Sequence, residues 1–324
     1  MEQLRDNTIL KRIHHARLTL GEVFGPMLVT VLVIVIATIL RGSQFLSPQN
    51  IINILRNNSI VGIIAMGMTL VIISGGIDLS VGSVLVIVGA VVITIGNVTG
   101  NIPLAIILGI FLGIGIGVLN AVIITKGNVP PFIATLGMMN ICRSLSQFYM
   151  KGGGMRSFDT AYKYISNSDF LGIPLPIYYL FIVTAAMWFI SQKTSLGRHI
   201  YAVGSNEKAA ALSTVNVHRV KIYTYALIGL CVSLAAIVES SRMNSINASS
   251  SGLQYELDAI SAVIVGGTSM SGGKGSVLGT FFGILILSII NNMMILMGVP
   301  PFLVNAVKGG IIILAVILQR KETD

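Results

Sequence analysis

Long apolar runs separated by short polar segments make up most of the chain, and ten of them approach the roughly 20 residues that a membrane-spanning helix needs. We therefore predict an all-α, polytopic integral membrane protein of about ten transmembrane helices, with Gly-rich breaks in some of them. The predicted spans are 24–41, 51–74, 81–98, 103–125, 131–150, 176–191, 222–241, 258–272, 276–297 and 303–319.

Composition supports a membrane protein, since 54% of the residues are hydrophobic and only 10% are charged. Soluble domains carry about 25% charged residues. We predict a cytoplasmic N-terminal segment at 1–23, a transmembrane domain at 24–319 and a cytoplasmic tail at 320–324. The polar lead-in is too long for a secretory signal peptide.

The net charge of +9 comes from scattered Lys and Arg residues, so we interpret it as a topology signal rather than a nucleic-acid surface. With the N-terminus inside, thirteen Lys and Arg residues fall in cytoplasmic segments and six outside. The positive-inside rule then predicts that both termini are cytoplasmic. It also places loop 192–221 inside and loop 151–175 outside.

Two Gly-rich breaks resemble each other. GGIDLSVGSVL at Gly75–Leu85 matches GGTSMSGGKGSVL at Gly266–Leu278 after a two-residue insertion, and each joins two apolar runs. Internal repeats with broken helices mark the central pathway of many transporters. Chance similarity between Gly-rich apolar stretches is the alternative interpretation.

Asp78, in the first break, is the clearest acidic residue within the apolar region. It could line or gate a translocation path, because charged groups in a membrane usually face a cavity or a partner. It could equally cap the helix that begins near Val81. Glu239, Glu256 and Asp258 are expected at outer span ends, in the interface or against an external partner.

Glycines also recur at four-residue spacing, which allows helix backbones to pack closely. The sequence leaves open whether these ridges pack within one subunit or between two. The ridges are Gly109, Gly113, Gly117 and Gly275, Gly279, Gly283.

Catalytic and metal-binding motifs do not emerge from the sequence. The second break fails as a phosphate-binding loop, because Thr268 and Gly275 stand where that motif needs Gly and Ser or Thr. Cys142 and Cys231 lie in apolar runs and are expected to be core residues. We predict a transport protein that is not an enzyme and has no cofactor or metal.

Loop 192–221 contains a predicted short helix. Ser205 or Asn206 would cap it, Glu207 would lie in its first turn, and the helix formers KAAAL follow. A loop of this length with its own capped helix favours a docking element for a cytosolic protein. A basic connector that lies on anionic lipid is the alternative.

Five stretches resemble the ribose-type permease subunits of bacterial ABC importers, collinearly from about Ser47 to the C-terminus. They are MGMTLVIISGGIDLSVGS, PFIATLGMM, LGRHIYAVGSNEKAAALS, YELDAISAVIVGGTSMSGGKGS and the NN that precedes LMGV.

This resemblance implies a permease dimer in the bacterial inner (plasma) membrane, with a cytosolic ABC ATPase and a periplasmic or lipoprotein sugar-binding protein as partners. It also implies a coupling helix that docks on the ATPase. Members of the family commonly have Gly soon after this helix, whereas this chain has Ser213-Thr214-Val215 there. Asn216 is expected to cap the helix end instead. The implied coupling residues are Gly204, Asn206, Glu207, Ala209, Ala210 and Leu212.

Alternating access would carry a monosaccharide through the permease, past polar residues near the two breaks. These hydroxyl groups could instead bond back to their own helices. An ion-coupled secondary carrier and a scaffold or channel subunit remain alternative functions. The candidate path residues are Ser74, Asp78, Ser80, Thr268, Ser269 and Ser271.

Overall fold

The computed structural model describes residues 2–157 and 159–320 and is a helical bundle with two small β-ribbons. Residues 321–324 of the predicted tail 320–324 lie outside the described residues, as does Met1. The first half contains helices α1 Glu2–Leu46, α2 Pro48–Ile73, α3 Val81–Thr99, α4 Ile102–Lys126 and α5 Pro131–Tyr149.

The middle of the chain forms short elements around one long helix. They are β1 Gly154–Arg156, α6 Tyr164–Asn167, β2 Asp169–Phe170, β3 Ile173–Pro174 and α7 Leu175–Lys193. Next come α8 Ser195–Ser205, α9 Glu207–Leu212, α10 Val217–Met243, β4 Ser245–Asn247, α11 Tyr255–Val265, α12 Val277–Leu296 and α13 Pro301–Arg320.

Local sequence explains where many helices begin. The side chains of Ser47, Asn101 and Asn216 accept hydrogen bonds from the backbone N–H three residues further on, in the first turns of α2, α4 and α10. Pro131 begins α5, a position where its missing N–H costs nothing. The apolar runs between these signals then form the helices.

Seven helices in the described part of the chain are long and apolar enough to cross a membrane. Each predicted span overlaps a helix, which confirms the fold class. The eighth prediction, 258–272, was wrong in its bounds, because α11 has 11 residues and ends before Gly266. At about 1.5 Å per residue, α11 spans roughly half of a 30 Å hydrocarbon core.

Helix α10 lies at the centre of the bundle and packs on α2, α3 and α4. Glycine ridges make this packing close. A methyl group on Gly113 would clash with Ser233, and one on Gly117 would clash with the Tyr225 backbone of α10. Gly279 and Gly283 pack in the same way on Gly266 and Ala262, so both ridges join helices within one subunit.

The β1–β4 ribbon, antiparallel with Met155 opposite Ile246, caps one side of the bundle next to the end of α3. We call this the ribbon side. Helices α8 and α9 lie at the opposite ends of α2 and α10, which we call the loop side.

Candidate functional site

The two Gly-rich breaks and helix α8 meet at one point on the loop side. The Gly273 N–H donates a 2.9 Å hydrogen bond to the carbonyl of Ile73, the last residue of α2. Gly204 of α8 packs directly on both Ile73 and Gly273, and Tyr201 donates a 2.7 Å bond to the carbonyl of Gly275. We call Ile73, Gly204 and Gly273 the junction.

The first break, 74–80, turns back into the bundle before α3 begins. The Ile77 carbonyl accepts hydrogen bonds from Thr135 of α5 and Tyr225 of α10, both at 3.2 Å. Asn120 of α4 donates to the Ser80 hydroxyl at 3.1 Å. Because three helices satisfy its polar groups, this non-helical backbone is stable inside the bundle.

Asp78 is buried, and one carboxylate oxygen accepts the Ser80 backbone N–H at 2.8 Å and the Ser80 hydroxyl at 2.6 Å. Ser80 directly precedes α3, and its side chain makes no capping bond to that helix. The carboxylate therefore fixes the turn that leads into α3. These bonds go to the residue before α3 and not to an N–H of the helix, so Asp78 is not the cap of α3 that one interpretation expected. Its place at a gate stays a prediction.

Replacing Asp78 by alanine is expected to lower the stability of the protein. The buried Ser80 N–H would lose its acceptor, at a cost of about 1–3 kcal/mol. Asp78→Asn keeps an acceptor oxygen and should lose less. The temperature at which buried Cys142 and Cys231 begin to react with a fluorogenic maleimide measures this, and an unchanged temperature in Asp78→Ala would contradict the assignment.

The remaining candidate path residues lie in two environments. Ser74 is buried and donates back to the Val71 carbonyl at 2.7 Å, as the alternative interpretation expected. Thr268 is buried as well, beside Gly275. Ser269 is half-buried and Ser271 exposed, so of the candidate path residues this pair reaches the loop-side surface.

Of the two predicted caps of helix α9, Ser205 and Asn206, the structure has Asn206. Asn206 accepts the Ala209 N–H at 2.9 Å, and Glu207 in the first turn pairs with Lys221 of α10 at 2.7 Å. Ala210 is only 5% exposed and anchors α9 to the bundle. Leu212 is 89% exposed, so α9 presents an uncovered apolar side chain on the loop side.

The end of α9 differs from the prediction. Asn216 does not cap it, because Asn216 has negative φ and caps the start of α10 instead. Thr214 takes the left-handed conformation with φ of +67°. Its N–H donates to Ala211 and the next N–H, of Val215, to Ala210, which is the Schellman pattern.

Thr214→Gly is expected to stabilise the end of α9, because a β-branched residue with positive φ is strained by about 1 kcal/mol. Hydrogen–deuterium exchange of residues 207–215 should slow about fivefold. Ser213→Gly is the matched control, since Ser213 has φ of −87° and gains nothing. Faster exchange in Thr214→Gly would contradict this interpretation.

A second polar cluster was missed by the sequence analysis. Between β4 and α11, residues 248–254 run into the bundle without helical structure, and the Gly252 carbonyl packs on Gly82 of α3. Gly82 lies roughly 25 Å along α3 from its ribbon-side end. Arg143 of α5 donates to the carbonyls of Ala248 and Ser251, at 3.0 and 2.9 Å.

Glu239 belongs to the same cluster. It lies one turn before the end of α10. It is nevertheless only 4% exposed and lies against Ser251 and Tyr255, so the expectation that it sits in the interface or meets an external partner was wrong. Asp258 of α11 pairs with Lys308 of α13 at 3.0 Å and is also partly buried. Arg143 could have revealed this cluster in the sequence, because it lies inside an apolar run and a charge at membrane depth needs partners.

Comparisons with known proteins agree with one another. Residues 50–316 match the family described as "Branched-chain amino acid transport system / permease component". The chain is 44% identical to the ribose import permease protein of Bacillus subtilis (strain 168), over 99% of each chain. It is 40% identical to that of Escherichia coli (strain K12), over 97% of this chain and 98% of the relative.

A less similar relative is named for a different sugar. The chain is 33% identical to the L-arabinose ABC transporter permease protein of Azospirillum brasilense, over 90% of this chain and 86% of the relative. No solved structure matches the chain.

Proposed function

Because the chain belongs to the permease-component family of branched-chain amino acid transport systems, we propose that it is the permease subunit of an ABC importer for a ribose-like monosaccharide. Near-complete coverage of two ribose import permeases, at 40% and 44% identity, supports ribose over arabinose. The protein is a multi-pass inner membrane protein, and ATP hydrolysis belongs to a separate partner.

The junction is the observation that carries the mechanism. Only the extended residue Asn206 separates α8 from α9, so a movement of α9 is passed to Gly204 over a short distance. Gly204 contacts the end of α2 and the second break together. A rigid-body shift of α8 and α9 would therefore move both breaks at once, which is how ATPase closure would reach the path.

The proposed sides of the membrane follow from this role. The loop side is cytoplasmic, with both termini and the ATPase, and the ribbon side faces the sugar-binding protein. Gly204, Asn206, Glu207, Ala209, Ala210 and Leu212 form the coupling segment. Within it, the exposed Leu212 and Ala209 are proposed to contact the ATPase, whereas Ala210 and Gly204 transmit the movement inward.

The breaks are proposed to form the cytoplasmic gate of the path. Ser74, Asp78, Ser80 and Thr268 are buried between helices in this conformation, so a sugar would reach them only after the breaks move apart. Ser269 and Ser271 lie at the cytoplasmic exit. A two-fold dimer of permeases is proposed to enclose the path between its subunits.

ATPase activity of the reconstituted complex tests this function. The permease with its ATPase in nanodiscs should hydrolyse ATP several-fold faster when ribose-loaded binding protein is added. Ribose-free binding protein and arabinose are the controls. A rate of ATP hydrolysis that is the same with and without the ribose-loaded binding protein would refute the proposed importer.

An ion-coupled carrier is the second candidate, and one observation favours it. Asp78 and Glu239 are both buried acids, whereas the sequence had pointed to Asp78 alone. Buried acids can carry protons or bind Na⁺ in secondary transporters. Asp78, however, accepts two hydrogen bonds from Ser80 that hold the turn before α3. Glu239 Oε2 is buried without a hydrogen-bond partner among the described residues, so the carrier interpretation rests on Glu239 alone.

A further inference from the structure

Helix α5 carries a polar stripe on its exposed face. Asn140, Ser144 and Gln147 are spaced by four and three residues, which places them on one side of the helix. All three are exposed. The opposite side, with Ala134, Met138, Cys142 and Ser146, is buried in the bundle.

This stripe does not fit a lipid-facing surface. From Leu104 to Leu119 the exposed large side chains of α4 are all apolar, as expected for contact with lipid tails, and include Ile107 and Phe111. On α5 the stripe instead begins at the middle of a helix of 19 residues. Polar side chains at that depth face a protein partner or a water-filled cavity.

Arg143 joins the stripe to the non-helical segment 248–254. It lies directly before Ser144 and donates to the Ala248 and Ser251 carbonyls, which holds that segment beside α5. Within the segment, Ser250 and Gln254 are exposed. Irregular backbone inside a membrane is tolerated where it is buried in protein or lines water, so two separate elements indicate the same polar space.

We infer that the stripe and segment 248–254 line the water-filled part of the sugar path, an inference that rests on the proposed importer function. Amide and hydroxyl groups of neutral side chains can exchange hydrogen bonds with a polyhydroxyl solute without trapping it. The same face of α5 ends in exposed apolar Ile133, seven residues from Asn140 toward the loop side. Ile133 lies where the path narrows toward the breaks.

Cysteine labelling tests this assignment without depending on transport. Asn140→Cys and Ser144→Cys, in the otherwise unchanged chain, should react with a charged, membrane-impermeant methanethiosulfonate reagent in proteoliposomes, because thiolates form only in water. Phe111→Cys is the matched control: Phe111 is 67% exposed on the apolar face of α4 and should not react. The native cysteines are buried and set the background.

Labelling should also block ribose uptake more than tenfold in Asn140→Cys and leave Phe111→Cys unaffected. Asn140→Leu, which retains the size of the side chain, should slow uptake about fivefold, the effect of one lost hydrogen bond. Uptake that is unchanged in Asn140→Leu and in labelled Asn140→Cys would overturn the inference.

Other outcomes separate this inference from the importer function. If neither Asn140→Cys nor Ser144→Cys reacts while the unmodified complex imports ribose, the path lies elsewhere and only the lining is refuted. Labelling without any ATP-driven uptake would support the water-filled path and refute the importer.

Discussion

Replacing Gly204 by alanine is expected to abolish ATP-driven ribose uptake. A Cβ at this position would overlap the Ile73 carbonyl oxygen and lie 2.7 Å from the Gly273 nitrogen. Both contacts are backbone atoms that belong to the ends of α2 and the second break, so no flexible side chain can move aside. Overpacking of this kind costs about 1–3 kcal/mol, and here it would separate the three parts of the junction.

Gly204→Ala should lower ribose uptake by more than its effect on folding explains. The added methyl group would push α8 away from the two breaks, so a permease that still inserts and binds the ATPase would no longer transmit its movement. Gly115→Ala is the matched control, because a Cβ there meets nothing within 4 Å. Uptake at the wild-type rate in Gly204→Ala would show that the junction does not couple the ATPase to the path.

Leu212→Lys is expected to weaken ATPase binding by about 2 kcal/mol or more, roughly 30-fold in affinity. Leu212 is 89% exposed and so contributes little to the isolated permease. A lysine at the C-terminal end of α9 is also compatible with the helix dipole. A lower affinity would therefore reflect a lost contact with the ATPase rather than a less stable α9.

Leu171→Lys provides the same substitution at another exposed leucine. Leu171 is 84% exposed between β2 and β3, far from α9 in the chain, and its replacement should leave ATPase affinity unchanged. Affinity is measured by titrating the purified ATPase onto permease in nanodiscs. Equal affinities for Leu212→Lys and the wild type would exclude α9 as the ATPase contact. Ala210 is unsuited to this test, because it is buried against the bundle.

Local features of the chain were predictable where neighbouring residues determine them. Apolar runs indicated the helices, and Asn206 followed by Glu207 and three alanines indicated the cap and start of α9. The meeting of the two breaks at Gly204 was not predictable, because it depends on contacts between residues about 130 and 70 positions apart in the sequence.

Other features depended on tertiary partners as well. Glu239 was expected in the interface or against an external partner, but the fold brings Ser251 and Tyr255 over it and buries it. The run 258–272 looked long enough to span, yet Gly266 and Gly267 end the helix inside it. Thr214 has positive φ although its side chain disfavours that conformation, because the Schellman bonds at the end of α9 require it.

Uptake of radiolabelled ribose into proteoliposomes tests the central claim most directly. The vesicles contain the permease and its ATPase, the binding protein is added outside, and ATP is supplied inside. We predict accumulation of ribose that requires all three proteins and ATP, and that persists when proton and sodium gradients are abolished. Accumulation that follows an ion gradient in vesicles with the permease alone would contradict the importer and establish a secondary carrier.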